Sequence, residues 1–252
     1  MKLFYETRLL FVRNVRLSFR NPAWILFGLF QPACYLLFFA PLLDPISRIA
    51  GFPAGGGMLA FTPGCMVLMG IFGPLYSGFG LLQEWRSGFL ERLHVAPISR
   101  WAFPLSKIGY DVLVLLVQVI LIVLLACLMG LRPDIRGVLL SLLLIALMGA
   151  FLSACSYALA LWLQSEDALS SFLSTLSIPL MLLSGIMLPL SLAPVLLRLI
   201  ARVNPFSYAV TATRALFQGN FLSGEIPLSF GLMFVLTLLA LFWAVRSFKP
   251  AL

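Results

Sequence analysis

The chain has 252 residues, 62% of them hydrophobic and only 10% charged, with a formal net charge of +8. Soluble domains run near half apolar and a quarter charged, so too few polar side chains remain here to cover a water-facing surface, and lipid is the expected solvent for most of the chain. The basic excess gathers in particular loops, which fits membrane orientation rather than nucleic-acid binding. The separated cysteines Cys34, Cys65, Cys127 and Cys155 lie in apolar runs and spell neither a disulfide framework nor a metal site.

Residues 1–22 do not span. Arg13, Arg16 and Arg20 recur at helical spacing, and Phe4, Phe11, Val15 and Phe19 fall largely on another side. This predicts a helix in the membrane interface with its basic side toward anionic headgroups. No small-x-small site follows the next apolar segment, so no cleaved signal peptide is expected. Asn21-Pro22 opens span one, 24–43, in which Gln31-Pro32 predicts a kink. Residues 44–60, with Asp44, Arg48 and Gly55-Gly56-Gly57, read as a loop. Span two, 61–82, carries Gly64, Gly70, Gly73, Ser77, Gly78 and Gly80, small residues that let helices approach closely in lipid.

Span three, 108–131, carries Asp111 and Gln118 seven residues apart on one face. Asp111 is expected to reach headgroup water or to pair with Lys107 one turn earlier. Span four, 138–164, turns through Gln164-Ser165-Glu166-Asp167 into span five, 168–188. Ser170, Ser174, Ser177 and Ser184 share one side of span five, either lining a polar pathway or packing on a neighbouring helix. Residues 189–225 are broken by Pro189, Pro194 and Asn204-Pro205 into pieces too short to span, which fits a re-entrant hairpin. Span six is 226–245.

The fold class is therefore an all-α integral membrane domain of six transmembrane helices over 1–252, with both termini on one side. Eleven of the seventeen basic residues fall in the N-terminal segment, in 83–107 and at the C-terminus, which places these three in the cytoplasm. The acidic turn at 164–167 is cytoplasmic in the same scheme and carries no basic residue.

The sequence carries no G-x-x-x-x-G-K-[ST] loop, only one histidine (His94), and almost no charge within spans. Nucleotide binding, two-histidine zinc chemistry and proton-driven pumping are all disfavoured, so energy for uphill transport is expected from another subunit. The informative stretch is 83–107. Glu84 and Glu91 share a helical face there, Phe89, Leu90 and Leu93 offer an apolar side, and Pro97 ends the helix. It reads either as a short amphipathic helix that transmits force from a soluble partner or as a solvated loop.

Glu84, Gly88, Glu91 and Leu93, followed by Pro97-Ile98-Ser99-Arg100, resemble the coupling region of the ABC type-2 exporter permeases, although Phe89 stands where that pattern has a small residue. Asn21-Pro22 with Gln31-Pro32 resembles the family's first span. Leu183-Ser184-Gly185 through Pro189, then Asn204-Pro205-Phe206-Ser207-Tyr208 and Arg214, resembles its fifth span and outer hairpin. The likeness runs through nearly the whole chain and is greatest to half-size bacterial drug and antibiotic exporters.

The resemblance implies six spans, an interfacial helix over 1–22, a coupling loop over 83–107 and a re-entrant hairpin over 189–225 that holds Asn204, Pro205, Tyr208 and Arg214. It implies a permease dimer, identical chains by default, in the inner membrane. Two copies of a separate ATPase that uses ATP and Mg would dock on it, and this chain would bind no cofactor. The docking residues would be Glu84, Arg86, Gly88, Glu91, Arg92, Pro97 and Arg100, with Ser170, Ser174, Ser177 and Ser184 along the substrate pathway. An amphiphilic drug or lipid-like substrate is expected. The alternatives are a lipid-linked glycan as cargo, or a membrane-embedded enzyme or non-transport scaffold.

Overall fold

A computed structural model describes residues 2–20, 23–43, 57–89, 99–186 and 194–248, and these are helical almost throughout. In order they are α1 (Lys2–Arg20), α2 (Ala23–Leu43), α3 (Gly57–Leu75), α4 (Gly78–Arg86), α5 (Ala102–Leu128), α6 (Ile135–Leu163), α7 (Glu166–Leu183), α8 (Val195–Ala201), α9 (Pro205–Phe217) and α10 (Glu225–Ser247). Among the described residues, four stretches are long and apolar enough to cross a membrane: Gly57–Arg86, Ala102–Leu128, Ile135–Leu163 and Glu225–Ser247. Within α2 the stretch Gly28–Phe39 is apolar too. The Asn21-Pro22 start signal, the Gly55-Gly56-Gly57 loop up to residue 56 and the segment 187–193 lie outside the described residues.

The central helix is α3, with 78% of its most apolar window buried, against 33–44% for the other three candidate spans. It packs against α2, α5, α6 and α9. Since lipid is as apolar as leucine, this burial reflects close packing rather than escape from water. Glycine makes the approach possible: Gly70 lies directly beneath Met148 and Ile145 of α6. At the far end of α6, a Cβ on Gly137 would overlap the Leu216 carbonyl oxygen of α9. Asp134 caps α6 by accepting from the Arg136 amide at 3.0 Å.

Three boundaries differ from the sequence expectation. The predicted span at 61–82 is two helices, because the chain turns at Tyr76-Ser77 after Pro74. The Ser156 hydroxyl reconnects the break, donating to the Leu75 carbonyl at 2.6 Å and accepting from the Gly78 amide at 2.9 Å. The helix expected at 108 begins at Ala102, so Lys107 lies inside it. Its first turn holds Pro104, whose missing N–H costs nothing at a helix start. The segment expected as span five forms α7, which ends at Leu183 and buries only the stripe Leu169, Leu173 and Ser177.

The helix ends sort into two groups. Phe103 at the start of α5 meets Phe248 just beyond α10 edge-on, with ring centroids 5.5 Å apart. The N-terminal helix, the ends of the 83–107 loop and the C-terminal end of α10 therefore share one end of the bundle. The other end gathers the starts of α3 and α6 with α9.

Candidate coupling site

The shared end carries a network of charged side chains. At the last turn of α4, Glu84 points inward: its Oε2 lies 2.7 Å from Lys107 Nζ of α5, and its Oε1 lies 3.7 Å from Arg13 of α1. Lys107 and Glu84 are only 10% and 19% exposed as side chains, so this pair works at low dielectric, where a full counter-charge matters most. The Arg13 guanidinium also lies over the Phe89 ring, 3.9 Å from its centroid. That cation–π contact contributes about 0.5–2 kcal/mol. Phe89 further packs on Phe103 at 6.2 Å. The large residue at position 89, unusual for the pattern it resembles, thus forms the floor under Arg13.

One helix holds both ends of the loop. Glu6 of α1 accepts the Ser99 amide at 2.8 Å, where the chain returns toward α5, and Arg13 of the same helix holds Glu84 and Phe89, where it leaves α4. Phe11 of α1 covers Gly109 of α5. Arg13 was expected on the headgroup side of α1; the structure turns it inward because Glu84 and Phe89 await it there.

The acidic turn belongs to the same end. Arg86 pairs with Glu166 at 2.9 Å. Both side chains are largely exposed (57% and 42%), so the pair contributes less than about 1 kcal/mol and serves to place the 164–167 turn beside the loop. This partner accounts for an acidic turn on the side where basic residues prevail.

Asp111 departs from its expectation. Lys107 is taken by Glu84, and Asp111 instead accepts the Tyr157 hydroxyl of α6. Ser77 and Ser153 lie around the same carboxylate. The Tyr157 hydroxyl of α6 thus meets the acid within the bundle.

Of the residues expected at the ATPase, Arg86 and Arg100 are exposed, Glu84 is turned inward, and Gly88 has a left-handed φ of 70°. Glu91, Arg92 and Pro97 lie outside the described residues. Among the serines of α7, Ser170 and Ser174 are exposed and Ser177 and Ser184 buried. Ser177 and Ser184 donate to the carbonyls of Ser174 and Met181, which leaves them locally satisfied.

At the opposite end, Arg214 of α9 is buried, at 8% exposure. Its guanidinium donates to the Ala60 carbonyl at 2.9 Å and to the Gly185 and Ile186 carbonyls at 3.0 and 3.1 Å. Among the described residues no carboxylate pairs with it; the C-terminal end of α7 supplies the compensating negative potential. Burial lowers its pKa to about 10, so it remains a cation at neutral pH. Asn204 caps α9 by accepting the Phe206 amide at 3.0 Å and donates to the Leu180 carbonyl of α7 at 3.3 Å. Tyr208 donates to the Arg202 carbonyl at 2.9 Å, and Pro205 takes the first helical position. Sequence spacing puts Arg214 and Asn204 in an expected hairpin; their attachment to α3 and α7 comes only from the structure. The contributions of Glu6, Arg13, Lys107 and Tyr157 were likewise missed, and only the lone acid at Asp111 hinted at such a network.

Apolar helices of spanning length with a polar network at one end define a multi-pass helical membrane protein. The family model for ABC-2 type transporters matches residues 5–218, and the chain belongs to that family. It is 31% identical over 236 residues to the putative transport permease ycf38 of Pyropia yezoensis, covering 91% of this chain and 80% of the relative. The putative transport permease ycf38 of Cyanophora paradoxa is 28% identical over 216 residues, 84% of this chain and 74% of the relative. The daunorubicin resistance ABC transporter permease protein DrrB1 of Streptomyces coeruleorubidus is 27% identical over 162 residues, 64% of this chain and 57% of the relative.

Proposed function

We propose that this chain is the permease subunit of an ATP-driven exporter that moves amphiphilic drug- or lipid-like molecules out of the inner leaflet. The observation that carries the reading is the charged network that ties α1, the ends of the 83–107 loop, α5 and the 164–167 turn at one end. A partner that pushes on the loop moves several helices at once. Family membership and the likeness to a daunorubicin resistance permease support transport as the task. In this reading α2 and α7 complete six spans, α1 lies at the inner membrane surface, and both termini are cytoplasmic. Residues 189–225 re-enter from outside, and Ser170 and Ser174 face the pathway between two identical permease chains.

ATP and Mg belong to the separate ATPase. Its docking surface is Arg86, Gly88, Glu91, Arg92, Pro97 and Arg100, while Glu84 acts from behind through Lys107 and Arg13. The test is to purify the chain with its ATPase, reconstitute both in liposomes, and screen amphiphiles for stimulated hydrolysis and outward movement. Stimulation by no amphiphile, with cargo moved only as a lipid-linked glycan, would replace the substrate class.

Glu91→Lys reverses a charge on the proposed docking face. It should reduce ATPase co-purification or uncouple hydrolysis from transport, with a loss of about 2–5 kcal/mol in docking, at unchanged expression. Normal transport by this variant would make 83–107 a mere connection. Gly88→Leu is a less specific probe, since the left-handed φ of 70° penalises any side chain with a Cβ by about 1–2 kcal/mol before a partner is met. Gly88→Asn, which tolerates that conformation, separates backbone strain from obstruction.

Topology has its own measurement. In a cysteine-free background, Ser87→Cys and Gly55→Cys should label from opposite sides of the membrane. Labelling from one side removes the six-span arrangement.

A further inference from the structure

The break between α3 and α4 is held by bonds that have an alternative. In a continuous helix the Gly78 amide would donate to the Pro74 carbonyl and the Phe79 amide to the Leu75 carbonyl. Here the Gly78 amide donates to the Ser156 hydroxyl of α6 at 2.9 Å, and that hydroxyl donates to the Leu75 carbonyl at 2.6 Å. The Phe79 amide moves to the Tyr76 carbonyl at 3.3 Å, and the Pro74 carbonyl takes the Ser77 amide at 3.2 Å and the Ser77 hydroxyl at 2.8 Å. One hydroxyl of α6 thus supplies the acceptor and the donor that the break takes out of the helix. If the helix closed over the break, its own bonds would return. Ser156 would then donate to the Leu152 carbonyl one turn back, the usual resort of a serine inside a helix. Backbone and hydroxyl are paired in both arrangements, which is the condition a membrane core sets on any conformation it admits.

The two arms are held unequally. α3 is buried along most of its length, whereas α4 buries only Gly78, Leu81 and Leu82. The seat of α4 on α6 is close: a Cβ on Gly78 would lie 2.7 Å from both the carbonyl oxygen and the hydroxyl of Ser156, and 3.2 Å from the Ala160 Cβ. On the other side of the turn, Ser77 faces Asp111 of α5 and Tyr157 of α6, polar groups that can follow a rotating hydroxyl. At its far end α4 carries Glu84 and Arg86, whose partners belong to α1, α5 and the 164–167 turn. A push on the loop therefore reaches α4 first, and the weakest point between α4 and the buried core is the turn at Tyr76-Ser77.

We propose that this turn is a two-state joint and that Ser156 is the positioning residue that holds it bent. Closing the joint into one helix from 57 to 86 would carry motion of the 83–107 loop into α3. The inference rests on the reading of that loop as the place where the ATPase pushes.

Spin labels on Gln83→Cys of α4 and Arg246→Cys of α10, both exposed positions, test it by double electron–electron resonance. The labelled chain, otherwise free of cysteine, is diluted into unlabelled chain so that distances within one chain are read. α10 packs on α6, so the pair reports the swing of α4 against the helix that seats it. Ser156→Ala strands the Leu75 carbonyl and the Gly78 amide in the bent arrangement alone. It should raise the population of a second distance by about sevenfold, the worth of two ordinary interhelical hydrogen bonds. Gly78→Ala keeps the hydroxyl but crowds α4 off α6, and should populate the same second distance. One unchanged distance in both variants overturns the joint. The unmodified chain with its ATPase and a non-hydrolysable ATP analogue should also populate that distance. If the ATPase is bound and the distance does not move, the role in coupling is overturned. A chain that binds no ATPase overturns the exporter reading and that role with it, while the joint is judged by the two variants, which need no partner.

Discussion

Arg214→Leu is expected to produce a chain that inserts but fails to hold the α9 end of its bundle together. The guanidinium satisfies three carbonyls, those of Ala60, Gly185 and Ile186, and joins α9 to the start of α3 and the end of α7. Interhelical hydrogen bonds in membrane bundles average about 0.6 kcal/mol each, which sets a lower bound near 2 kcal/mol. Charge-assisted bonds contribute about 1.5–3 kcal/mol each, and the Leu variant leaves buried acceptors behind, so a loss of about 2–5 kcal/mol is expected. Arg214→Lys keeps the charge but loses the planar fork that reaches α3 and α7 together, and should fall between. Thermal melting in detergent and limited proteolysis across 189–225 measure the effect. A Leu variant that melts like the unmodified chain would show that the three contacts contribute nothing net.

Breaking the pair beneath the loop is the second large effect. Glu84→Gln leaves Lys107, 10% exposed, with its nearest counter-charge gone. Removing one partner of a buried pair costs about 3–5 kcal/mol, because the remaining charge is still desolvated. Lys107→Met should cost a similar amount for the reciprocal reason. The double variant should recover most of the loss, since two neutral side chains of similar volume carry no stranded charge. Arg13→Gln should cost less, about 1 kcal/mol or below, as Arg13 is 36% exposed and 3.7 Å from the carboxylate. The cycle is measured on the permease without its ATPase, which separates an internal role from docking. If Glu84 acted only by touching the ATPase, none of these variants would move the melting temperature of the isolated chain.

By itself the sequence determined that lipid surrounds this chain and that helices dominate it. An apolar content of 62% leaves no other solvent, and a membrane core admits few backbone solutions. The break at Asn204-Pro205 was legible as well, because proline geometry acts within a few residues, whereas the caps at Asp134 and Asn204 emerged only with the structure. Tertiary structure decided what was not local. The turn at Tyr76-Ser77 is completed by Ser156, 78 residues from Gly78 in sequence. Lys107 stands four residues before Asp111, the spacing that predicts a pair, yet it goes to Glu84 across the loop. Asp111 is then met by Tyr157, which no spacing rule connects to it. Arg13 lies among basic residues suited to headgroups, but its direction follows from the carboxylate and the ring that another part of the chain places beside it. Periodicity fixes which residues share a helix face, whereas the choice among charged partners depends on which helices pack together, and in lipid that is set by fine complementarity, such as Gly137 against the Leu216 carbonyl, rather than by burial of an apolar stripe.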